Sequence, residues 1–144
     1  MTKRAFPLLI IVLILFTYQC SKAPDPRVVV MDFIEAVNKA DTASMDKYLD
    51  LDKFTQEKIK EFPEAERQEI FPKVKEQIRN NFLGTGGTRL KWQNKIIVVN
   101  QESIQGDTAL VEVTFVDQKT GITEYTKAKL YKKNKNWLIY YIRD

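Results

Sequence analysis

Histidine is absent from this 144-residue chain, and cysteine occurs once, at Cys20. The first absence removes the commonest general base near neutral pH and the commonest metal ligand. Serine and cysteine hydrolase arrangements need a base beside the nucleophile, so Ser44 and Ser103 read as helix-start and strand-end residues, and no catalytic residue is assigned. A single cysteine cannot close an internal disulfide. No repeat or low-complexity tract interrupts the chain, and excess charge of either sign is lacking too. Lys3 and Arg4 precede Cys20, which leaves 21 basic against 19 acidic residues after it and a net charge of +2. That is too little to predict a nucleic-acid partner. Apolar residues at 44% and charged residues at 29% describe a globular chain with a core to bury, in a length that suits one domain.

Three local patterns invite a chemical reading that their context does not support. Asp50-Leu51-Asp52, with Asp46 and Glu57 nearby, offers oxygen ligands but lacks the spacing and turn glycine of a calcium loop, so helix capping accounts for it. Gly84-Thr85-Gly86-Gly87 lies between a helix and a strand and is followed by Thr88, whereas a phosphate cradle joins strand to helix and carries a lysine. It reads as a flexible connection. Lys127, Lys129, Lys132, Lys133 and Lys135 among Tyr125, Tyr131 and Trp137 read as a solvated strand face rather than a base-stacking platform. No metal site and no cofactor are expected.

The N-terminus has the architecture of an export signal. Lys3 and Arg4 precede an apolar run from Ala5 to Phe16. The run is shorter than the about 20 apolar residues of a spanning helix, Pro7 interrupts its start, and Thr17, Tyr18 and Gln19 close it. The segment resembles a bacterial lipoprotein signal, with Cys20 at the position of the cysteine that receives a thioether-linked diacylglycerol. Residues 1–19 are thus expected to be a signal peptide, Cys20 the lipidation site, and 20–26 a tether to a domain over 27–144. The expected location is the bacterial cell envelope, with the membrane as partner through the lipid. A signal-anchored inner-membrane protein is the alternative.

In the remaining chain, Val29, Phe33, Ala36, Val37 and Ala40 recur at helical spacing after Pro26, which suits a first-turn position. Asp41 is the expected cap of a second helix holding Met45, Tyr48 and Leu49, and Asp52 that of a third reaching Phe54, Ile59 and Phe62. Ile70, Val74, Ile78 and Phe82 predict a fourth, which Pro72 should break or kink. Turn signals then separate four antiparallel strands at about 89–104, 107–117, 122–132 and 136–143. Ala109, Val111, Val113 and Phe115 share one face of the second strand. The last strand is apolar on both faces, so its outer side should be covered.

Phe33 to Asp41 leading to Tyr48-Leu49, Gly106-Asp107-Thr108-Ala109 opening a strand, and Leu130-Tyr131-Lys132-Lys133 before Trp137 look like NTF2-like (cystatin-like fold) envelope lipoproteins of the DUF4878 type. The resemblance covers most of residues 27–142. In this family the first helix usually ends Gly-Asp, where this chain has Ala40-Asp41, and the last turn usually contains Asn-Gly, where it has Asn134-Lys135-Asn136. The resemblance implies an α+β fold, N-terminal helices packed on a bent four-stranded antiparallel sheet that forms a cone. It implies no activity, because this fold hosts isomerases, dehydratases, carriers and domains of no known role.

The cone is the default ligand site. By alternation Glu124 and Thr126 share the helix-facing side of their strand, with Tyr48 or Asp32 as partners from the helices, and a desolvated Glu124 would have a raised pKa. The sequence therefore predicts a small ligand- or protein-binding domain, more readily than an enzyme. The outer sheet face, with Thr114, Tyr125, Tyr131 and the last strand, is the expected surface for a homodimer or a protein partner. The alternatives are a small histidine-free enzyme using a pocket carboxylate and a purely structural envelope component.

Overall fold

A computed structural model describes residues 23–143. The predicted signal segment and Cys20 lie outside the described residues. Among those described, no helix is long and apolar enough to cross a membrane.

Helix α1 spans Pro26–Lys39, with Asp25 accepting a hydrogen bond from the Arg27 amide at 2.8 Å as its N-cap. It buries Val29, Phe33, Ala36 and Val37, as its periodicity predicts, together with Val30 and Ile34, whereas Ala40, expected on the same face, is exposed beyond the last turn. It stops at Ala40, whose backbone is left-handed at φ 55°, while the Ala40 and Asp41 amides bond back to the Val37 and Ala36 carbonyls. Helix α2 follows over Thr42–Tyr48, capped by Asp41 through the Ser44 amide. Helix α3 covers Leu51–Ile59, and here the expected cap is corrected. Asp50, not Asp52, accepts from the Lys53 amide at 2.9 Å. The reason is long-range: the Asp50 amide bonds to the Ile139 carbonyl at 2.9 Å, which fixes Asp50 just outside the helix.

After Pro63 a 3-10 turn over Glu64–Glu66 leads into α4, Arg67–Phe82. Pro72 does not break α4. It is exposed in the second turn, where water can serve the one carbonyl that lacks an intrahelical donor. A fifth helix, α5 at Gly87–Gln93, replaces the expected start of the first strand. Thr88 and Trp92, one turn apart, face inward. Arg89 fastens the helix to α1 by donating to the carbonyls of Val37 (3.1 Å), Asn38 (3.1 Å) and Gly84 (2.6 Å). Nor is Gly86 slack, because a Cβ there would lie 2.2 Å from the Asn80 carbonyl oxygen.

The sheet is an antiparallel meander in the order β1-β2-β3-β4, with β1 Lys95–Gln105, β2 Thr108–Asp117, β3 Thr123–Lys133 and β4 Asn136–Ile142. Ala109, Val111, Val113 and Phe115 point to the helices as expected and pair with Leu130, Ala128, Thr126 and Glu124. Two bulges shift the register. On β1, Asn100 and Gln101 oppose a single residue of β2, so Glu102 turns to the helix-facing side against Val111. On β4, Tyr140 is the extra residue, which lets Trp137, Ile139 and Ile142 all be buried and ends simple alternation there.

An aromatic cluster fills the interior. Trp92 stacks on Phe115 with ring centroids 5.5 Å apart, Phe33 and Phe54 meet Phe82 edge-on, and Tyr141 stacks on Phe54. Among the described residues the buried polar side chains belong to Thr55, Thr88 and Thr114, none of them ionisable. The cone is therefore plugged, and concave space lies around its rim.

Candidate functional site

A concavity of about 590 Å3 among the described residues opens between α1, α2 and the β3–β4 hairpin. Val29 and Asp32 reach it from one helix, Lys47 and Tyr48 from the next, and Lys133 and Trp137 from the hairpin. The helices meet there because the tight Ala40-Asp41 link folds α2 back along α1. As a result, Tyr48 Oη donates to Asp32 Oδ2 at 3.0 Å. Both side chains are half-buried. Trp137 is buried below them, and Lys132 Nζ lies 4.8 Å from its ring centroid. A cleft with an apolar floor and a few fixed polar groups is the usual form of a small-molecule site.

The four predicted pocket residues do not share one cavity. Asp32 and Tyr48 meet in this cleft, whereas Glu124 and Thr126 line a separate hollow beside Trp92, Phe115 and Arg143. Alternation does place Glu124 on the helix-facing side, but at the open end of β3. There its carboxylate is exposed, bonded by Lys95 Nζ at 2.8 Å and approached by Lys91 Nζ at 3.5 Å. The Lys95 hydrogen bond, with the Lys91 and Lys95 charges, holds Glu124 below the ordinary glutamate value, against the raised value expected for a desolvated group. It is an ion-paired rim residue.

Two further polar clusters were not anticipated. The β1 bulge brings Glu102 under the start of α1, next to Asp25 and Arg27. Arg27 bonds Asp25 at 2.7 Å and lies 3.7 Å from Glu102 Oε2, which has no hydrogen-bond partner among the described residues. Burial and the neighbouring Asp25 raise Glu102, while the Arg27 hydrogen bond lowers Asp25 to about 2. Toward the opposite edge of the sheet, Tyr131 Oη donates to Asp50 Oδ2, and Lys53 Nζ lies 3.6 Å from the Tyr131 ring centroid and 4.7 Å from that of Tyr140. The start of α3 thus covers the outer side of β4 and engages Tyr131. The apolar outer surface lies instead on Ile96, Val98 and Tyr125, with Val98, Thr114 and Tyr125 side by side across three strands.

Among the described residues no group of three or more His, Cys, Asp or Glu side chains is placed to hold a metal ion. Asp50 is engaged as a helix cap and Asp52 pairs with Lys75 at 2.6 Å. Of the cleft residues, Lys47, Lys133 and Trp137 were missed as site residues. For Lys133 and Trp137 the signal in the sequence was the charged tip of a hairpin that ends at a buried tryptophan, while Lys47 lies on α2 beside Tyr48.

No family model and no curated protein matches the chain. Among solved structures, one from Campylobacter jejuni, provisionally named an NTF2-like transpeptidase, aligns with 81% of this chain and 97% of its own at a TM-score of 0.50 and 19% identity. At that identity the likeness concerns shape alone, and with the layers described above it identifies an α+β domain of the NTF2-like fold, helices packed on an open antiparallel sheet.

Proposed function

We propose that this is an exported, lipid-anchored envelope protein of the DUF4878 type whose NTF2-like domain binds a small ligand in the Asp32–Tyr48 cleft. The carrying observation is the cleft itself: a polar pair 3.0 Å apart above buried Trp137, rimmed by Lys47 and Lys133. The filled interior and the ion-paired Glu124 favour a binding module over the acid–base enzyme, since a general acid or base needs a tuned pKa within reach of a substrate. The transpeptidase name of the Campylobacter jejuni protein is not carried over, because the chain after Cys20 has neither cysteine nor histidine. Anchoring rests on Cys20 and the charged, short apolar segment before it. Metabolic labelling with a fatty-acid analogue should mark the wild type and not Cys20→Ala, and an unlabelled wild type would reject the lipid.

For the cleft, amide and indole NMR during titration with a fragment collection should show shifts gathered on Tyr48, Asn136 and Trp137, weakened in Tyr48→Phe. Shifts gathered instead in the apolar groove of Phe62, Val74 and Ile78 between α3 and α4 would reject the assignment. A second reading, self-association through the outer sheet face, is favoured by the exposure of Ile96, Val98 and Tyr125 in one patch. Sedimentation that stays monomeric at all concentrations would remove it.

A further inference from the structure

We infer that the cleft end of the domain lies against an anionic lipid surface, with Lys47, Lys133 and Lys135 meeting the headgroups. The inference rests on the anchoring proposed above and adds to it an orientation and a partner chemistry.

The first argument is reach. Ala23 already packs against the hydrophobic core, and Pro24 lines the cleft beside Lys47 and Lys133. Cys20 lies three residues before Ala23, and three extended residues span at most about 11 Å. A chain held in a membrane up to Cys20 therefore cannot turn this end of the domain far from the surface. The limit is the same for a lipid on Cys20 and for a retained apolar segment ending there.

The second argument is charge. Lys47, Lys133 and Lys135 are exposed, and none has an ion pair among the described residues. Of the acids near this end, Asp32 is engaged by Tyr48, Asp25 and Glu102 by Arg27, Asp46 by Arg79 and Asp50 by Tyr131, which leaves exposed Asp107, at the β1–β2 turn beside Lys132, against three lysines. The backbone supplies a third argument. The hairpin turns on Asn134 and Lys135 with φ of 51° and 68°, a pair of left-handed positions at which Asn-Gly is the favoured sequence. A lysine at the second of them strains the turn, and strain retained at one position points to use of its side chain. An ammonium at the hairpin tip, above a surface that attracts cations, is such a use. Each lysine near an anionic bilayer strengthens association about fivefold, so three together favour the docked orientation on the order of 100-fold.

The experiment uses the full chain with its own anchor, in vesicles of phosphatidylglycerol and phosphatidylcholine that contain a headgroup-nitroxide lipid. A dye is placed by Asn136→Cys at the cleft end or by Lys119→Cys at the β2–β3 turn. β3 separates the two ends by about 30 Å. Quenching should be strong from position 136 and weak from position 119. It should fall at position 136 in pure phosphatidylcholine and in the triple variant Lys47→Gln, Lys133→Gln, Lys135→Gln. Equal quenching from both positions, or quenching at 136 indifferent to lipid charge and to the triple variant, overturns the inference. The mass of the N-terminal peptide reports the anchor separately. With no acyl group but the apolar segment retained, the quenching pattern still decides. With neither present, the protein is free of the membrane and the inference falls with its premise.

Discussion

Between about pH 10 and about pH 12 the domain should lose stability in part through the hydroxyl of Tyr131. Its proton is donated to Asp50 Oδ2, so ionisation would set a phenolate against a carboxylate. Burial, with the hydrogen bond and charge of Asp50, pushes Tyr131 from 10.0 up to about 12. Burial acts upward on Asp50 as well, but the bonds from Tyr131 and the Lys53 amide, with the charges of Lys133 and Lys53, outweigh it and hold that carboxyl below its ordinary value. A two-unit shift corresponds to roughly 2.7 kcal/mol, which solvent screening of a half-buried pair reduces to about 1 kcal/mol. The sign follows from the raised value. The protonated folded form keeps the full contribution below pH 10 and loses it as the pH rises toward the folded pKa. Urea unfolding of wild type and Tyr131→Phe checks this. At about pH 8 the wild type should be more stable by about 1 kcal/mol, and at about pH 11.5 the difference should close or reverse. Lysines titrate in both proteins and cancel. A difference that stays constant across that range, or phenolate absorbance showing Tyr131 titrating near 10, would refute the coupling to Asp50.

Further outcomes are expected at three places in the chain. Gly86→Ala should destabilise by about 3 kcal/mol or more, because its Cβ would meet carbonyl oxygens of Asn80 and Asn81 at 2.2 and 2.4 Å. Gly87→Ala, with nothing within 4 Å, should gain up to about 1 kcal/mol of helix propensity, and thermal melts of the pair separate crowding from propensity. Ala40→Gly should raise stability by about 0.5 kcal/mol, since relief of the left-handed φ of 55° exceeds the added entropy of the unfolded chain; an unchanged urea midpoint would count against cap strain. Glu124, followed by carbonyl-carbon NMR, should titrate below the ordinary glutamate value. What it contributes is present above its unfolded pKa and lost as the pH falls through the folded one, and titration above the ordinary value would overturn the ion-pair description.

Where local chemistry decides, the sequence was legible. The alternation of Ala109, Val111, Val113 and Phe115 survives because the helix-facing side of β2 is buried along its length, and Pro26 and Asp41 act within one turn of chain. Partners far along the chain hid the rest. The Arg89-to-Trp92 segment carries no strong helical pattern, and its helix is held by carbonyls of Val37 and Asn38 on α1. Asp50 and Asp52 are equal as caps until Ile139 selects one. Asp32 and Tyr48, 16 residues apart on successive helices, were readable only as alternative partners for Glu124, and they bond each other instead. Glu124 could not be separated from them, because strand parity gives a side chain's face but not which end of the sheet it occupies.

The two borders of the sheet are treated differently, and this bears on how the protein behaves when crowded. Beside β4, Leu49 pairs in parallel with Ile139, so an incoming strand finds that border occupied. Among the described residues β1 has no such neighbour, and it exposes Ile96, Val98 and Ile104, the kind of border that templates aggregation. What guards it is the bulge at Asn100 and Gln101, which splits the strand into stretches at Lys95–Val99 and Glu102–Gln105. Each is shorter than the about six-residue segment that sustains a cross-β stack. Deleting one bulge residue would join the two stretches into one straight strand and leave Glu102 opposite Val111 under α1. The cost would then appear as growth of fibrils from folded material, a hazard that the stability of the monomer would not reveal.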